Sequence, residues 1–190
     1  MVHKEKEIKL LLTKEEYEMI QSLFPFEKPY VQSNYYYGHE NIDTHITVRI
    51  RKKNDLKLQI KIPVCINGSL HIKEEYEGTI DKVYDILPLE KIKNIYDVGA
   101  DSDLYLLGRL CTNRRVCTLF HDIEIALDLN EYLGKTDYEL EIEYKGEYPS
   151  QVVAVLEREN IFLKGNTKGK KTRFMEQLQE GCACKREKGI

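Results

Sequence analysis

Several segments of this chain alternate between apolar and charged residues, and the charged members are sorted by sign. In Ile46 to Arg51, Ile46, Val48 and Ile50 point one way while Thr47, Arg49 and Arg51 point the other. In Leu56 to Ile62, Leu56, Leu58, Ile60 and Ile62 alternate with Lys57, Gln59 and Lys61. His71, Lys73, Glu75 and Glu77 share a face of Leu70 to Glu77. Ile123 to Leu129 alternates with Glu124, Ala126 and Asp128, and Tyr138 to Tyr144 with Glu139, Glu141 and Glu143. Near the start, Glu5, Glu7 and Lys9 oppose Ile8, Leu10 and Leu12. A period of two over such lengths specifies strands with one face apolar and one charged.

Such faces are ordinarily the solvated sides of a sheet. Two details weigh against that here. The faces carry little besides charge, and like charges recur two residues apart, as in Arg49 with Arg51 and in the row Glu139, Glu141, Glu143. Repulsion between like charges packed on one sheet face costs a few tenths of a kcal/mol to ~1 kcal/mol. Something lying between the strands would offset it: a polyanion against the basic strands, divalent cations against the acidic ones. A closed antiparallel barrel with its charged faces inward provides that place, and peripheral helices would cover its apolar exterior.

Helices are expected over Thr13 to Phe24, Pro88 to Tyr96, Ser150 to Asn160 and, as a final turn or helix, Thr172 to Gln179. Thr13 is the expected N-cap of the first, with Glu16 as its capping-box partner and Pro25 as the stop. The class is α+β, mostly antiparallel β. No repeat, low-complexity tract or linker divides the chain, so its 190 residues read as one domain, 1–175, followed by a tail, 176–190.

Composition removes several function classes. Lys plus Arg is 29 and Asp plus Glu is 32, a net charge of −3, which argues against a nucleic-acid partner. No run approaches the ~18 apolar residues of a membrane span, and Met1 to Lys9 lacks a signal-peptide core; the expectation is a cytoplasmic protein with no membrane partner. Cys65, Cys111, Cys117, Cys182 and Cys184 form no CxxC pair, so neither a disulfide framework nor a zinc site is expected. Cys65, Cys111 and Cys117 read as core or strand residues, and Gly181 to Ile190 as a frayed end. The G-K-K-T string within Gly165 to Thr172 has the wrong glycine spacing for a phosphate loop. The five histidines form no ligand spacing; His71 could line a tunnel, with solvent exposure the preferred reading. Tyr35, Tyr36 and Tyr37 read as packing residues, and Glu143 and Lys57 as either tunnel-lining groups or solvated strand ends.

The ordered motifs resemble those of the CYTH superfamily, the triphosphate tunnel metalloenzymes. Glu5-Lys6-Glu7-Ile8-Lys9 matches its E-x-E-x-K signature, and Tyr35-Tyr36-Tyr37 resembles its aromatic second strand. Arg49-Ile50-Arg51, Leu58-Gln59-Ile60-Lys61, Lys73-x-Glu75-x-Glu77 and Thr112-Asn113-Arg114 follow in the family's order. Asp128, then the E-x-E strand at Glu139 and Glu141, and a closing basic strand, Thr167-Lys168-Gly169-Lys170 with Arg173-Phe174, complete it. The resemblance implies a closed eight-stranded tunnel in which metal-dependent hydrolysis of inorganic tripolyphosphate or an organic triphosphate takes place.

Carried over residue by residue, the resemblance implies catalytic roles for Glu5, Glu7 and Lys9. It implies triphosphate contacts from Lys9, Arg49, Arg51, Lys61, Lys73, Arg114, Lys168 and Lys170. Mg²⁺ or Mn²⁺ would be held by Glu5, Glu7, Asp128, Glu139 and Glu141, hard oxygen donors suited to those ions. Glu75 and Glu77 would line the tunnel, Glu75 being preferred to Glu74 by alternation. Arg114 is preferred to Arg109, which has the opposite parity. Two other activities use the same charges: a class IV-type adenylate cyclase, and a binding-only triphosphate or polyphosphate sensor. A homodimer is the default assembly.

Overall fold

The computed structural model describes residues 2–39, 45–163, 165 and 167–187. The elements in chain order are β1 (Val2–Leu12), α1 (Lys14–Leu23), β2 (Tyr30–Gly38), β3 (Thr47–Lys52), β4 (Leu56–Asn67) and β5 (Leu70–Thr79). They continue with β6 (Ile86–Leu87), α2 (Leu89–Lys93), β7 (Leu104–Leu119), β8 (Ile123–Tyr132), β9 (Lys135–Tyr144), α3 (Ser150–Arg158) and α4 (Lys170–Glu187). All pairings are antiparallel, in the order β2-β3-β4-β5-β1-β9-β8-β7-β6, and a further β2–β7 pairing closes eight of the strands into a barrel. The two-residue β6 sits outside the closure, on β7.

The alternation resolves as expected for a charged interior. Ile8, Leu10 and Leu12 face out of the barrel but are buried, packed with Ile125, Leu127, Leu140 and Ile142 beneath Tyr17 and Ile20 of α1 and Val152, Val153 and Leu156 of α3. On the opposite side Val48, Ile50, Leu58 and Ile60 pack with Ile92 of α2 and with Leu87, Val98 and Leu104. These two clusters hold the core outside the barrel, which leaves the interior to the charged faces. None of the described helices is long and apolar enough to cross a membrane.

α1 begins as read. Thr13 Oγ1 accepts from the Glu16 amide at 3.1 Å, and Glu16 Oε2 accepts from the Thr13 amide at 2.7 Å. Thr13→Ala should therefore cost ~1 kcal/mol of stability, read as a shifted urea midpoint with an unchanged m-value.

The chain's end departs from expectation. The closing basic strand is not a strand: 167–169 lie in no regular element and Lys170 opens a helix running to Glu187, past the Thr172–Gln179 span and into the segment read as frayed. The side chains of Cys182 and Cys184 lie outside the described residues. Helical spacing brings Lys170, Arg173 and Phe174 to one face. Phe174 is fully buried against Tyr36, Leu110 and Tyr132, so the first turns of α4 close one end of the barrel. Gly108 accommodates this plug: its φ is +147°, and a Cβ there would come within 2.9 Å of the Phe174 ring. Next to it the β2–β7 register shifts between Tyr36 and Tyr37. That irregularity lies on one side of both Arg109 and Arg114, so their parities stay opposed; Arg109 is exposed and Arg114 buried.

Candidate functional site

The barrel encloses a cavity of 310 Å³ lined by Glu5, Glu7 and Lys9 of β1, Arg49 and Arg51 of β3, Lys61 of β4, His71 and Lys73 of β5, Arg114 of β7, Glu141 and Glu143 of β9, and Lys170 of α4. Toward the other end a second space of 470 Å³ shares Glu5, Arg51, Glu124 and Glu143 with it and adds Gln59, Glu75 and Glu77. The structure thus places on these two linings all the residues singled out for the site except Asp128 and Glu139, which are fully buried against Arg114, Lys170 and Arg173, and Lys168. The Lys168 side chain is exposed and pairs with Glu176 on α4 at 2.7 Å.

The walls differ in how far their charges are matched. On the β7–β8–β9–α4 side every cation is claimed. Arg114 donates from Nε and Nη2 to the two Asp128 oxygens at 2.8 and 2.7 Å, and also to Glu141. Lys170 Nζ lies 2.9 Å from Asp128, 3.0 Å from Glu139 and 2.9 Å from Glu141. Arg173 binds Asp137 at 2.9 Å and Glu139 at 2.6 Å. Lys9 pairs with Glu7 at 2.9 Å, with Glu141, and with Glu139 at 3.6 Å. Buried carboxylates tolerate this density because each faces guanidinium or ammonium. Burial alone would raise the Asp128 and Glu139 pKa values, yet Arg114 and Lys170 hold Asp128 below the usual range, and Lys170, Lys9 and Arg173 do the same for Glu139.

On the β3–β4–β5 side the cations are less fully matched. Lys61 bridges Glu5 at 2.7 Å and Glu75 at 2.8 Å, and Lys73 reaches Glu7 at 2.7 Å. Arg49 and Arg51, however, find neutral amides: Arg49 Nε donates to Gln59 Oε1 at 3.0 Å and Arg51 Nε to Asn34 Oδ1 at 3.4 Å. Burial, then repulsion from Arg49 and Arg114, pull the Arg51 pKa down to about 10. Arg49 Nη2, Tyr36 Oη and His71 Nε2 are buried without a hydrogen-bond partner among the described residues, and all three residues line the 310 Å³ cavity. Of these, Arg49 Nη2 and Tyr36 Oη are donors; an unpaired buried donor costs ~1–3 kcal/mol, so the two favour an acceptor-rich, anionic occupant.

His71 corrects the sequence reading. It is 3% exposed, not solvated, and hydrogen-bonds the Thr167 backbone. Burial, with the Lys73 and Lys9 charges, lowers its pKa. Its parity with Lys73, Glu75 and Glu77 carried the signal.

The acidic residues divide in the same way. Glu7, Glu141 and Glu143 each offer an oxygen within 4.8 Å of the others, brought together because Glu7 pairs with Glu143, and Lys9 with Glu141, across the β1–β9 ladder. Burial would raise the Glu7 and Glu141 pKa values, but Lys9 and Lys73 hold Glu7 far below the usual range, and Lys170, Lys9 and Arg114 do so for Glu141. The Glu143 pKa is raised, by burial and then by the Glu141 and Glu7 charges. Three convergent carboxylates, one of them repelled by the other two, fit a hard divalent cation. Of the five acids expected to hold metal, Glu7 and Glu141 belong to this cluster. Asp128, Glu139 and Glu5 lie outside that cluster, Asp128 and Glu139 paired with basic side chains as Glu141 also is, and Glu5 turned toward Lys61 and Glu75. Glu143 is the residue missed, although it extends the Glu139–Glu141 row.

Glu5 is pushed up to about 7, by burial first, with Lys61 opposing and Glu75 adding repulsion, while Lys61 helps hold Glu75 down at about 2. Since Glu5 binds its proton more tightly folded than unfolded, its contribution favours the fold at low pH and is lost as pH rises from about 4.5 through about 7. Glu5→Gln should therefore stabilise the metal-free protein at pH 8 relative to wild type, with the difference shrinking toward zero at pH 5. Thermal melts in EDTA at the two pH values check this.

A closed antiparallel tunnel, cationic and under-neutralised on one wall and bearing a carboxylate cluster beside it, defines a polyanion-binding barrel. The chain belongs to the CYTH domain family, whose family model matches residues 3–173. It is 30% identical over 185 residues to a Bacillus subtilis (strain 168) protein named "Putative triphosphatase YjbK", covering 93% of this chain and 96% of that one. Among solved structures the fold is similar to a Bacillus halodurans protein described as a "putative adenylate cyclase" (TM-score 0.72, 23% identity, 91% of this chain and 98% of that one). It is also similar to HpAC1 from Hippeastrum, described as a "putative adenylyl cyclase" that reveals a dominant triphosphatase activity (TM-score 0.69, 22% identity, 90% of this chain and 95% of that one).

Proposed function

We propose that the chain is a metal-dependent triphosphatase that removes the terminal phosphoryl group of a small-molecule triphosphate inside the barrel. The observation that carries this reading is the pairing of Arg49 and Arg51, two residues apart on β3 and hydrogen-bonded, among the described residues, to the neutral amides of Gln59 and Asn34, with the Glu7–Glu141–Glu143 cluster in one 310 Å³ cavity. The name carried by the B. subtilis relative agrees with it.

A triphosphate carries about four negative charges near neutral pH, and phosphoryl transfer requires mainly positioning and charge neutralisation. Arg49 and Arg51 supply guanidinium forks suited to phosphate oxygens, and Lys73 a compact charge beside them. Arg114 and Lys170 act differently: tied to Asp128, Glu139 and Glu141, they fix the acidic wall more than they reach for substrate. Lys9, between Glu7 and Glu141, holds both carboxylates ionised and oriented. Glu7, Glu141 and Glu143 would hold Mg²⁺ or Mn²⁺, which when bound supplies charge neutralisation at phosphate oxygens and acidifies a coordinated water. The catalytic unit is residues 1–175, working in the cytoplasm, as a homodimer in the default assembly.

The test is phosphate release from inorganic tripolyphosphate, ATP and thiamine triphosphate, with Mg²⁺ or Mn²⁺ and with EDTA as control. EDTA-sensitive phosphate release is expected. Pyrophosphate with a cyclic nucleotide would instead make the chain a cyclase, and tight binding without any product a sensor.

A further inference from the structure

Between Lys57 and Lys61, on the same face of β4, the chain places a neutral amide, Gln59, which is 2% exposed. The ladder sets it opposite Arg49 of β3 on one side and Glu77 of β5 on the other. Its Oε1 accepts from Arg49 Nε at 3.0 Å, while its Nε2 donates to Glu75 Oε1 at 2.6 Å and to Glu77 Oε2 at 2.7 Å. Both amide hydrogens are thereby used. The reverse orientation would set the NH2 group against a guanidinium and the oxygen against two carboxylates, so these partners admit only one. Among the described residues lining the two spaces, Gln59 belongs to the 470 Å³ one and Arg49 to the 310 Å³ one.

Other side chains would fail one side of this bridge or the other. A lysine would repel Arg49, and an apolar residue would leave Glu75 and Glu77 without these two donors. A glutamate would neutralise Arg49 and repel both acids. Glutamine pins the Nε edge of the guanidinium without offsetting its charge, and it satisfies Glu75 and Glu77 away from it. What remains is Arg49 Nη2, buried and lacking a partner among the described residues, on the wall of the 310 Å³ cavity. We propose that Gln59 is a positioning residue for the anion site: it aims Arg49 into the barrel and insulates it from Glu75 and Glu77, so that its charge stays available to a phosphate chain. This rests on the triphosphatase reading for the identity of the anion.

The experiment is calorimetric titration of inorganic tripolyphosphate into the metal-free full-length chain at pH 8 over a range of salt concentrations. In Gln59→Glu combined with Glu77→Gln, amide and carboxylate exchange places; volume and net charge are those of wild type, but the negative charge lies against Arg49. In Gln59→Met the volume is kept and Arg49 is freed to turn to Glu75 and Glu77. Urea denaturation shows which variants are folded, and either one alone decides. Each should bind tripolyphosphate about tenfold or more weakly than wild type, the equivalent of one charge-assisted hydrogen bond. The salt dependence should also be shallower, because one cationic contact is lost. Weakening by less than about threefold in a folded variant overturns the role of Gln59 and leaves the triphosphatase reading standing. So does weakened binding that keeps the salt dependence of wild type, which would place the effect in the fold rather than in Arg49. Failure of wild type to bind tripolyphosphate overturns both.

Discussion

Replacing Glu7 and Glu141 together by glutamine is expected to lower metal-stimulated phosphate release by about 10²–10³-fold or more, the equivalent of the several kcal/mol that Lewis-acid charge stabilisation supplies to phosphoryl transfer. The geometry makes the prediction sharper than a loss of activity. Both carboxylates share one cluster with Glu143, and both are kept ionised by Lys9. Glutamine preserves shape but removes two negative charges from a cavity that must also admit a polyanion. Tripolyphosphate should therefore bind the metal-free double variant at least as tightly as it binds wild type, because Lys9 and Lys73 are released to face it. Retained turnover would move the metal site elsewhere. Lost turnover with equally lost binding would mean that the barrel itself had been damaged.

The largest stability effect is expected at Arg114. Its guanidinium forks onto Asp128 and reaches Glu141, and Asp128 is fully buried. Arg114→Met keeps most of the volume, leaves Asp128 short of its main partner and takes one of three cations from Glu141. Breaking a buried pair in this way costs about 3–5 kcal/mol. Against total stabilities of about 5–15 kcal/mol for a domain, that shift is readily resolved by urea denaturation. The double variant Arg114→Met, Asp128→Leu should recover part of the loss, since an apolar pair removes the stranded charge. If Arg114→Met alone costs less than about 1 kcal/mol, Lys170 is neutralising the wall unaided.

What the sequence made legible followed its periodicity. Alternation located the strands carrying Glu5 to Lys9, Arg49, Arg51, Lys61, Lys73 and Glu141, and the unrelieved like-charge rows pointed to a closed interior. Parity also decided for Glu75, which meets Lys61, over Glu74, which hydrogen-bonds Tyr76. The misreadings came where period two gave way. Lys168, Lys170 and Arg173 looked like a basic strand, but Lys170, Arg173 and Phe174 stand three and four residues apart, which is a helical face. Hence Lys170 and Arg173 enter the barrel and Lys168 does not. β7 was seen only through Thr112 to Arg114, because its first half is apolar on both faces and interrupted at Gly108. His71 and Glu143 obeyed the alternation; His71 was read first as solvated, and Glu143 was left open between the tunnel lining and a solvated strand end. Which cations remain without an acidic partner is a three-dimensional balance that no spacing expresses.

The seam between β2 and β7 carries a kinetic consequence. It joins Tyr30 to Arg114 and Gly38 to Tyr105, residues far apart in the chain, whereas β3, β4 and β5 succeed one another as hairpins, as do β7, β8 and β9. Two locally paired meanders can therefore assemble early, but the lattice around Arg114 and Lys170 stays wet until the distant seam zips and α4 seats Phe174. Loop closure over such separations slows folding. Refolding after dilution from urea should be slow, and burial of the charged interior should be its last event.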